Sequence, residues 1–152
     1  MKKYIYFLIV GIFLVLPKNV LAIVKPTDRF YINDYANILN SETEDYIFEH
    51  SRNLDTKTKA QIVIVTIKSL EGDSLEEYAT TLFREFGIGD KDENNGLLIL
   101  LALEERQVRV EVGYGLEGIL PDGKTGRFQD KYMIPFFSED NFDEGMLNGY
   151  KA

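Results

Sequence analysis

Two consecutive apolar segments, separated by three polar residues, restrict the fold of this chain more than any other feature. Residues 97–103 form an uninterrupted apolar run, and in residues 107–112 valines alternate with Gln, Arg and Glu. A continuous run is typical of a strand covered on both faces, and alternation is typical of a strand with one polar face. Residues 104–106 leave room only for a tight turn, so the two strands must pair antiparallel. The sequence therefore predicts a β-hairpin whose first strand lies inside a sheet.

The region before this hairpin predicts a helix followed by a second buried strand. Ser41 with Glu44 is a capping-box pattern, which predicts a first helix over residues 41–54. Residues 56–59 are then expected to turn. The β-branched run at residues 62–67 is typical of a strand buried on both faces.

Three further helices are predicted around these strands. Ser74 with Glu77 predicts the start of a second helix, and Gly87 predicts its end. Its apolar residues recur at helical spacing: Leu75, Tyr78, Ala79, Leu82, Phe83 and Phe86. A third helix is expected over residues 123–133, and a fourth is expected to begin near Asn141. Helices that alternate with strands indicate a single α/β domain.

An acidic segment punctuated by glycines follows the second strand of the hairpin. Gly113 and Gly115 free the backbone to turn, and the carboxylates of Glu117 and Asp122 follow within a few residues. In an antiparallel hairpin the end of the second strand lies beside the beginning of the first. This segment must therefore meet the loop at residues 87–95, and the two loops are expected to form a site.

Oxygen-bearing side chains are concentrated in both of these loops. The second loop provides Glu117 and Asp122, and we expect Asp90 and Asn95 of the first loop to join them. Further oxygen-bearing side chains lie between Asp90 and Asn95 in the sequence: Asp92, Glu93 and Asn94. Oxygen ligands suit a hard cation better than zinc, so the predicted ion is Ca²⁺, with Mg²⁺ as the alternative. The competing interpretation is a solvated turn whose carboxylates face water.

The two loops contain partial matches to two ligand-binding motifs, a calcium-binding EF-hand and a nucleotide-binding phosphate loop. Neither match is supported by its surroundings. Residues 90–101 begin like an EF-hand, but Asn95 stands where glycine is required and Leu101 stands where a bidentate Glu is required. Residues 118–125 match G-x-x-x-x-G-K-T, yet they follow a hairpin strand instead of a buried parallel one. Neither partial match therefore predicts a function.

The N-terminal segment predicts export from the cytoplasm. Lys2 and Lys3 precede an apolar run at residues 4–16, and the small residue Ala22 follows a short polar stretch. This is the pattern of a secretory signal peptide over residues 1–22. A run of 13 residues is short for a bilayer, which needs about 20, so an uncleaved anchor is the alternative. We expect a periplasmic, extracellular or membrane-anchored protein.

The chain without this segment is strongly acidic. It keeps 14 basic residues against 25 acidic ones, which is a net charge of −11. Such a charge argues against nucleic acids and anionic lipid surfaces as partners, and it is compatible with divalent cations or basic partners. The chain has no Cys, which excludes disulfides, thiol catalysis and thiolate metal sites.

Three stretches of the sequence resemble the TPM domain, which is found in bacterial envelope proteins and in a plant thylakoid-lumen phosphatase. They read F-Y-I-N-D-Y-A-N-I-L at residues 30–39, N-N-G-L-L-I-L-L-A-L-E-E-R-Q at residues 94–107, and Q-V-R-V-E-V-G-Y-G-L-E-G-I-L-P-D at residues 107–122. The resemblance implies a three-layer α/β/α sandwich around a small mixed sheet over residues 30–152, after a linker at residues 23–29. It also implies a last helix cut short, because family members normally continue, often into a membrane span.

The resemblance implies two alternative functions. Family members are linked to acid phosphatase activity, and some can hold calcium, with Asp34 as a further ligand or a helix cap. A phosphatase would use Glu117 or Asp122 to hold the metal while water or a carboxylate attacks phosphorus. Lys124 and Arg127 would supply positive charge to the phosphoryl oxygens. The alternative is a noncatalytic module that assists assembly or maintenance of membrane protein complexes, as the family's roles in photosystem repair and at membrane receptors imply.

Overall fold

A four-stranded mixed sheet forms the middle layer of the protein. The structure, a computed structural model, describes residues 22–152. The strands are β1 (Ile32–Asp34), β2 (Gln61–Ile67), β3 (Gly96–Ala102) and β4 (Gln107–Val112), and they lie in that order across the sheet. The first three run parallel and β4 pairs antiparallel with β3. The predicted hairpin and the mixed sheet are therefore confirmed.

Five helices cover the two faces of the sheet. They are α1 (Ser41–Thr58), α2 (Leu75–Phe86), α3 (Asp122–Tyr132), α4 (Ile134–Ser138) and α5 (Phe142–Lys151). Helix α2 packs on one face through Tyr78, Ala79 and Leu82. The other face is covered through Ile47 of α1 and Met146 of α5, together with residues around α4. This arrangement confirms the three-layer α/β/α sandwich.

The two parallel crossover connections place their helices on opposite faces of the sheet. Ile47 of α1 packs in the same cluster as Ile64 of β2, whereas Leu82 of α2 packs in the same cluster as Val63 of β2. Adjacent strand residues point to opposite faces. Both connections move one strand over in the same direction across the sheet, but their helices lie on opposite faces. The two crossovers therefore have opposite handedness, and one of them is of the rare left-handed kind.

Helix α1 differs from the prediction at both ends. Its N-cap is Asn40, whose Oδ1 accepts a 2.8 Å hydrogen bond from the Thr43 amide, and Ser41 is already helical. The predicted end at residue 54 was also wrong. The helix continues through Thr58 and ends at Lys59, which has a φ of 61° and whose amide donates to the Asp55 carbonyl over 2.7 Å.

The other predicted helices are found within a few residues of their expected bounds. Ser74 caps α2 by accepting from the Glu77 amide over 3.4 Å, and Gly87 ends it with a φ of 62°. Helix α3 begins at Asp122, one residue earlier than predicted. Strand β1 and the short helix α4, which has Pro135 in its first turn, were not predicted.

The N-terminal predictions fall partly outside the described residues. Apart from its last residue, Ala22, the predicted signal sequence lies outside the described residues. In the predicted linker, the Val24 amide donates to the Tyr78 hydroxyl over 3.4 Å, and Ile23 packs against the α2 cluster. Within residues 22–152 no helix is both long and apolar enough to span a membrane.

Candidate functional site

The loop before β3 and the segment after β4 are joined by backbone hydrogen bonds. The Gly113 amide donates to the Gly96 carbonyl over 2.7 Å, and the Gly115 amide donates to the Asn94 carbonyl over 3.0 Å. The predicted meeting of the two loops is thereby confirmed. We call residues 87–95 and residues 113–122 the joined loops.

Two glycines permit this close approach. A Cβ on Gly115 would lie 1.9 Å from the Glu93 carbonyl oxygen, and a Cβ on Gly113 would lie 2.2 Å from the Asn94 carbonyl oxygen. Both distances are far below van der Waals contact. Asn94 has a φ of 50°, a left-handed conformation that Asn adopts more readily than most residues. The backbone of the second loop therefore lies directly against that of the first.

Asp90 and Asn95 organise the first loop. Asp90 Oδ1 accepts from the amides of Asp92 and Glu93 over 2.9 and 3.2 Å, and the Asp90 amide donates to Asn95 Oδ1 over 3.0 Å. The two bonds to Oδ1 hold the pKa of Asp90 below its usual value, and Lys59 lowers it further. The ammonium of Lys59 lies 3.8 Å from Asp90 Oδ2. One carboxylate oxygen thus shapes the turn, and the other faces a cation.

Gln61, the first residue of β2, supports the same loop and was not predicted to do so. Its Oε1 accepts from the Gly89 amide over 2.7 Å, and its own amide donates to the Asn95 carbonyl over 3.2 Å. Its Nε2 donates to Asp55 Oδ2 over 3.0 Å. A polar residue at the start of a buried strand was the available signal.

Glu117 and Asp122 lie in the second of the joined loops and are exposed to solvent. Glu117 follows the 3-10 helix Tyr114–Leu116, and Asp122 is the first residue of α3. Within the described chain, neither carboxylate forms an ion pair, and Lys124 donates instead to the Ile119 carbonyl over 3.1 Å. No group of three or more His, Cys, Asp or Glu residues between 22 and 152 is arranged to hold a metal ion.

Asp34 lies at the opposite end of the sheet from Asp90, Asn95 and Glu117, whereas Asp122 lines a groove along β4. It ends β1 in register with Thr66 near the end of β2, whereas Asn95 precedes the first residue of β3. Its Oδ2 accepts from the Leu39 amide over 2.8 Å, and its Oδ1 accepts from the Thr66 hydroxyl. Asp34 thus fixes the turn that leads from β1 to α1, and the structure does not bring it to the joined loops.

Two large apolar side chains are exposed beside these carboxylates. Tyr114 is 80% exposed and Ile119 is 66% exposed. They flank Glu117 in the same short segment. Contiguous exposed apolar surface marks protein contacts, so these two side chains are candidates for such a contact.

A cavity lies at the other end of the sheet, beyond the carboxyl ends of β1 and β2. It has a volume of about 880 Å³, and its polar lining residues include Tyr35, Ser69, Asp73, Tyr78 and Glu104. The connections that follow β1 and β2 depart to opposite faces of the sheet and leave this crevice between them. Crevices of this kind are the usual ligand sites of open α/β sheets.

Comparison with protein families assigns the fold. The sequence model of the TPM domain matches residues 32–152. The chain belongs to the TPM domain family. In the described part of this TPM domain, the four strands and the five helices all lie within the matched residues.

Several solved bacterial structures are similar to this TPM domain. An N-terminal domain from P. gingivalis is 36% identical, with 80% of this chain and 77% of that chain covered and a TM-score of 0.74. The N-terminal domain of the cg2496 protein from Corynebacterium glutamicum is 19% identical, with coverages of 88% and 84% and a TM-score of 0.62. The BA42 protein from the psychrophilic bacterium Bizionia argentinensis is 19% identical, with coverages of 76% and 78% and a TM-score of 0.61.

The last two similarities are at an identity that supports the fold alone. No curated protein matches the chain significantly.

Proposed function

We propose that this TPM domain is exported and binds a divalent cation at the joined loops, with Ca²⁺ preferred over Mg²⁺. The observation that supports the proposal most directly is the pair of backbone hydrogen bonds between the loops. These bonds fix Asp90 and Asn95 next to the segment that carries Glu117 and Asp122. Asp34 is not included, because it lies at the far end of the sheet.

The chemistry of these four residues fits calcium better than magnesium. Asp90 Oδ2 is the carboxylate oxygen that its turn does not use, and it already faces the positive charge of Lys59. Glu117 and Asp122 are exposed and stand on a segment anchored at Gly115. Ca²⁺ accepts six to eight oxygens in flexible geometry, including carbonyls and water, whereas Mg²⁺ requires a nearly ideal octahedron. Ligands drawn from two separate loops suit the more permissive ion.

A phosphatase-like reaction is the proposed chemistry of this site. A bound cation would supply the charge that the phosphoryl oxygens need in the transition state. Glu117 and Asp122 would hold it, and Lys124 and Arg127 in the first turns of α3 would bind the phosphate. Arg109 lies on β4 and pairs with Glu111, so it provides no further free charge. With so few cationic side chains, we expect slow turnover and broad substrate preference.

A noncatalytic role is the second candidate function, and one observation favours it. Tyr114 and Ile119 expose apolar surface on the loop that carries the proposed ligands. A protein partner would cover such surface, whereas a small phosphomonoester would not. On this alternative the domain is an interaction module that assists the assembly or maintenance of membrane protein complexes.

Thermal unfolding of the chain from Ile23 onward tests the cation site. Ca²⁺ at a hundredfold excess over its dissociation constant should add about 2.7 kcal/mol of stability, or roughly 3–6 °C in Tm. Glu117→Gln and Asp122→Asn should each reduce this rise, whereas Glu139→Gln, an exposed carboxylate after α4, should leave it unchanged. Equal Tm values in Ca²⁺, Mg²⁺ and chelator would overturn the proposal.

Release of phosphate from p-nitrophenyl phosphate separates the two candidate functions. Activity that requires Ca²⁺ and falls in Glu117→Gln and Asp122→Asn supports the phosphatase-like site. Activity that persists in chelator and in both variants rules that site out. A calcium-dependent rise in Tm without any phosphate release would favour the noncatalytic module.

A further inference from the structure

Strand β4 is an edge strand, and the direction of its free backbone groups can be fixed from three hydrogen bonds. The Gln61 amide donates to the Asn95 carbonyl, and the Leu103 amide donates to the Ile67 carbonyl, so the odd-numbered residues of β3 face β2. The Gly113 amide donates to the Gly96 carbonyl. The even-numbered residues of β3 therefore bond the odd-numbered residues of β4.

It follows that the even-numbered residues of β4 direct their amides and carbonyls away from the sheet. Val108 and Val110 are the two such residues in the middle of the strand. Within the described chain neither accepts nor donates a hydrogen bond on this side. Together they present two donors and two acceptors at the spacing that an added strand would require.

These groups form the floor of a groove between helices α2 and α3. The groove has a volume of about 520 Å³, and it is bounded by Leu75 and Glu76 on the side of α2 and by Asp122 and Gly126 on the side of α3. A second depression of about 360 Å³ continues it along β4 towards Arg106 and Ile134. An extended segment could therefore lie along the strand instead of crossing it.

Edge strands are usually protected by charged side chains that project over the free backbone. Here the charged side chains of β4 and its turn form ion pairs away from that edge. Arg109 Nε donates to Glu111 Oε2 over 2.9 Å, and its terminal nitrogen lies 3.5 Å from Glu76 Oε1. Both contacts lie on the α2 face of the sheet. Arg106 is likewise paired with Asp140, at 2.5 Å. The outer edge of β4 is thus left open.

The charge around the groove selects between the partners that could occupy it. Asp122 and Asp130 line it without an ion pair in the described chain, and the two arginines that line it are already neutralised. A second copy of this acidic protein, with its net charge of −11 from residue 23 onward, would be repelled. A segment with Lys or Arg side chains would be attracted.

We propose that the edge of β4 binds an extended, basic segment of another polypeptide, which joins the sheet as a fifth strand. Alternate residues of that segment pair with Val108 and Val110. Its Lys or Arg side chains lie near Asp122 and Asp130. The groove shares Asp122 with the proposed cation site and uses none of the other proposed ligands.

Amide hydrogen exchange with a defined peptide tests the proposal. The probe is an acetylated, amidated peptide of four Lys-Val repeats, added in the presence of chelator so that the cation site plays no part. In the free protein the amides of Val108 and Val110 should exchange quickly, and those of Arg109 and Glu111 should exchange slowly. The peptide should slow exchange at Val108 and Val110 by at least about tenfold. Binding without such protection would overturn the proposal.

Matched variants and peptides separate strand addition from simple charge attraction. Val110→Pro removes an outward amide, which an edge strand tolerates, whereas Val110→Ala keeps that amide and trims a similar amount of packing. Binding should fall at least tenfold in Val110→Pro and persist in Val110→Ala. If Val110→Pro does not fold, Asp130→Lys should weaken binding in its place. Equal binding of a Glu-Val peptide would exclude the basic partner, and protection in the free protein that rises with concentration would indicate self-association instead.

Discussion

The Gly115 amide donates a 3.0 Å hydrogen bond to the Asn94 carbonyl, which joins two loops that are 21 residues apart in the chain. This contact exists only because Gly115 has no side chain. The position of every proposed ligand in the second loop depends on it, since Glu117 follows two residues later. The geometry of the candidate site is therefore set by glycine backbone before any carboxylate is considered.

Gly115→Ala should destabilise the protein and Gly118→Ala should not. The new Cβ at residue 115 would lie 1.9 Å from the Glu93 carbonyl oxygen, whereas nothing lies within 4 Å of a Cβ at residue 118. Overpacking of this kind typically costs about 1–3 kcal/mol. Urea unfolding of both variants measures the difference. Equal stability would show that the loops are not held as described.

Asn40→Ala should cost about 1 kcal/mol of stability, because it removes the N-cap of α1. Asn40 also donates to the Asp143 carboxylate through its side chain over 2.6 Å, which ties α1 to α5. Ser41→Ala is the matched control, since Ser41 is an exposed residue of the first turn, and it should change stability by less than about 0.5 kcal/mol. A larger loss of stability in Ser41→Ala than in Asn40→Ala would show that Ser41, and not Asn40, caps the helix.

Alkaline titration should reveal a linked pair formed by Tyr31 and Asp55. Burial, together with the 2.6 Å hydrogen bond that Tyr31 donates to Asp55, raises the pKa of Tyr31 from 10.0 to about 12. A raised pKa favours the protonated phenol in the folded state, so this contribution to stability is complete below pH 10 and is lost as the pH rises towards 12. The free energy of unfolding should fall more steeply over that window in the wild type than in Tyr31→Phe. Parallel curves would contradict the assignment.

Acid titration should identify a second linked group, Glu105 in the hairpin turn. Burial alone would raise the pKa of Glu105, but hydrogen bonds from the Ser69 hydroxyl and the Leu70 amide outweigh it, so the pKa is lowered from 4.5. A carboxyl group whose pKa is lower in the folded state stabilises the protein at pH values above its unfolded-state pKa. This stabilisation is lost as the pH falls through its folded-state pKa. The stability advantage of the wild type over Glu105→Gln should therefore shrink below about pH 4.5. An advantage that is independent of pH would refute this role.

Most of the fold could be predicted because its strands and helices have strong local patterns. The apolar run at residues 97–103 and the alternating valines of β4 specify the hairpin. Ser74 and Gly87 mark the two ends of α2. Strand β1 has only three residues, too few for a period to be recognised. The cap of α1 was misplaced by one residue because Asn40 and Ser41 are both good capping residues, and only tertiary contact with Asp143 separates them.

The meeting of the joined loops could be predicted, but the state of their side chains could not. Antiparallel pairing places the loops together whatever their sequence. Whether Asp90 faces a ligand or caps its own turn depends on φ and ψ angles that the sequence does not reveal, and the contribution of Gln61 depends on a contact across 28 residues. Asp34 was grouped with the other candidate ligands through family resemblance alone, and the parallel sheet places it elsewhere.

The length of the central strands makes the two ends of this sheet energetically separate. Strands β2 and β3 each have seven residues, which at about 3.3 Å per residue places roughly 20 Å of packed core between Asp34 and Asp90. Groups this far apart that share no partner contribute additively to stability. The crevice beyond Asp34 and the loop around Asp90 can therefore accumulate changes independently, because a substitution at one end does not alter the stability of the other.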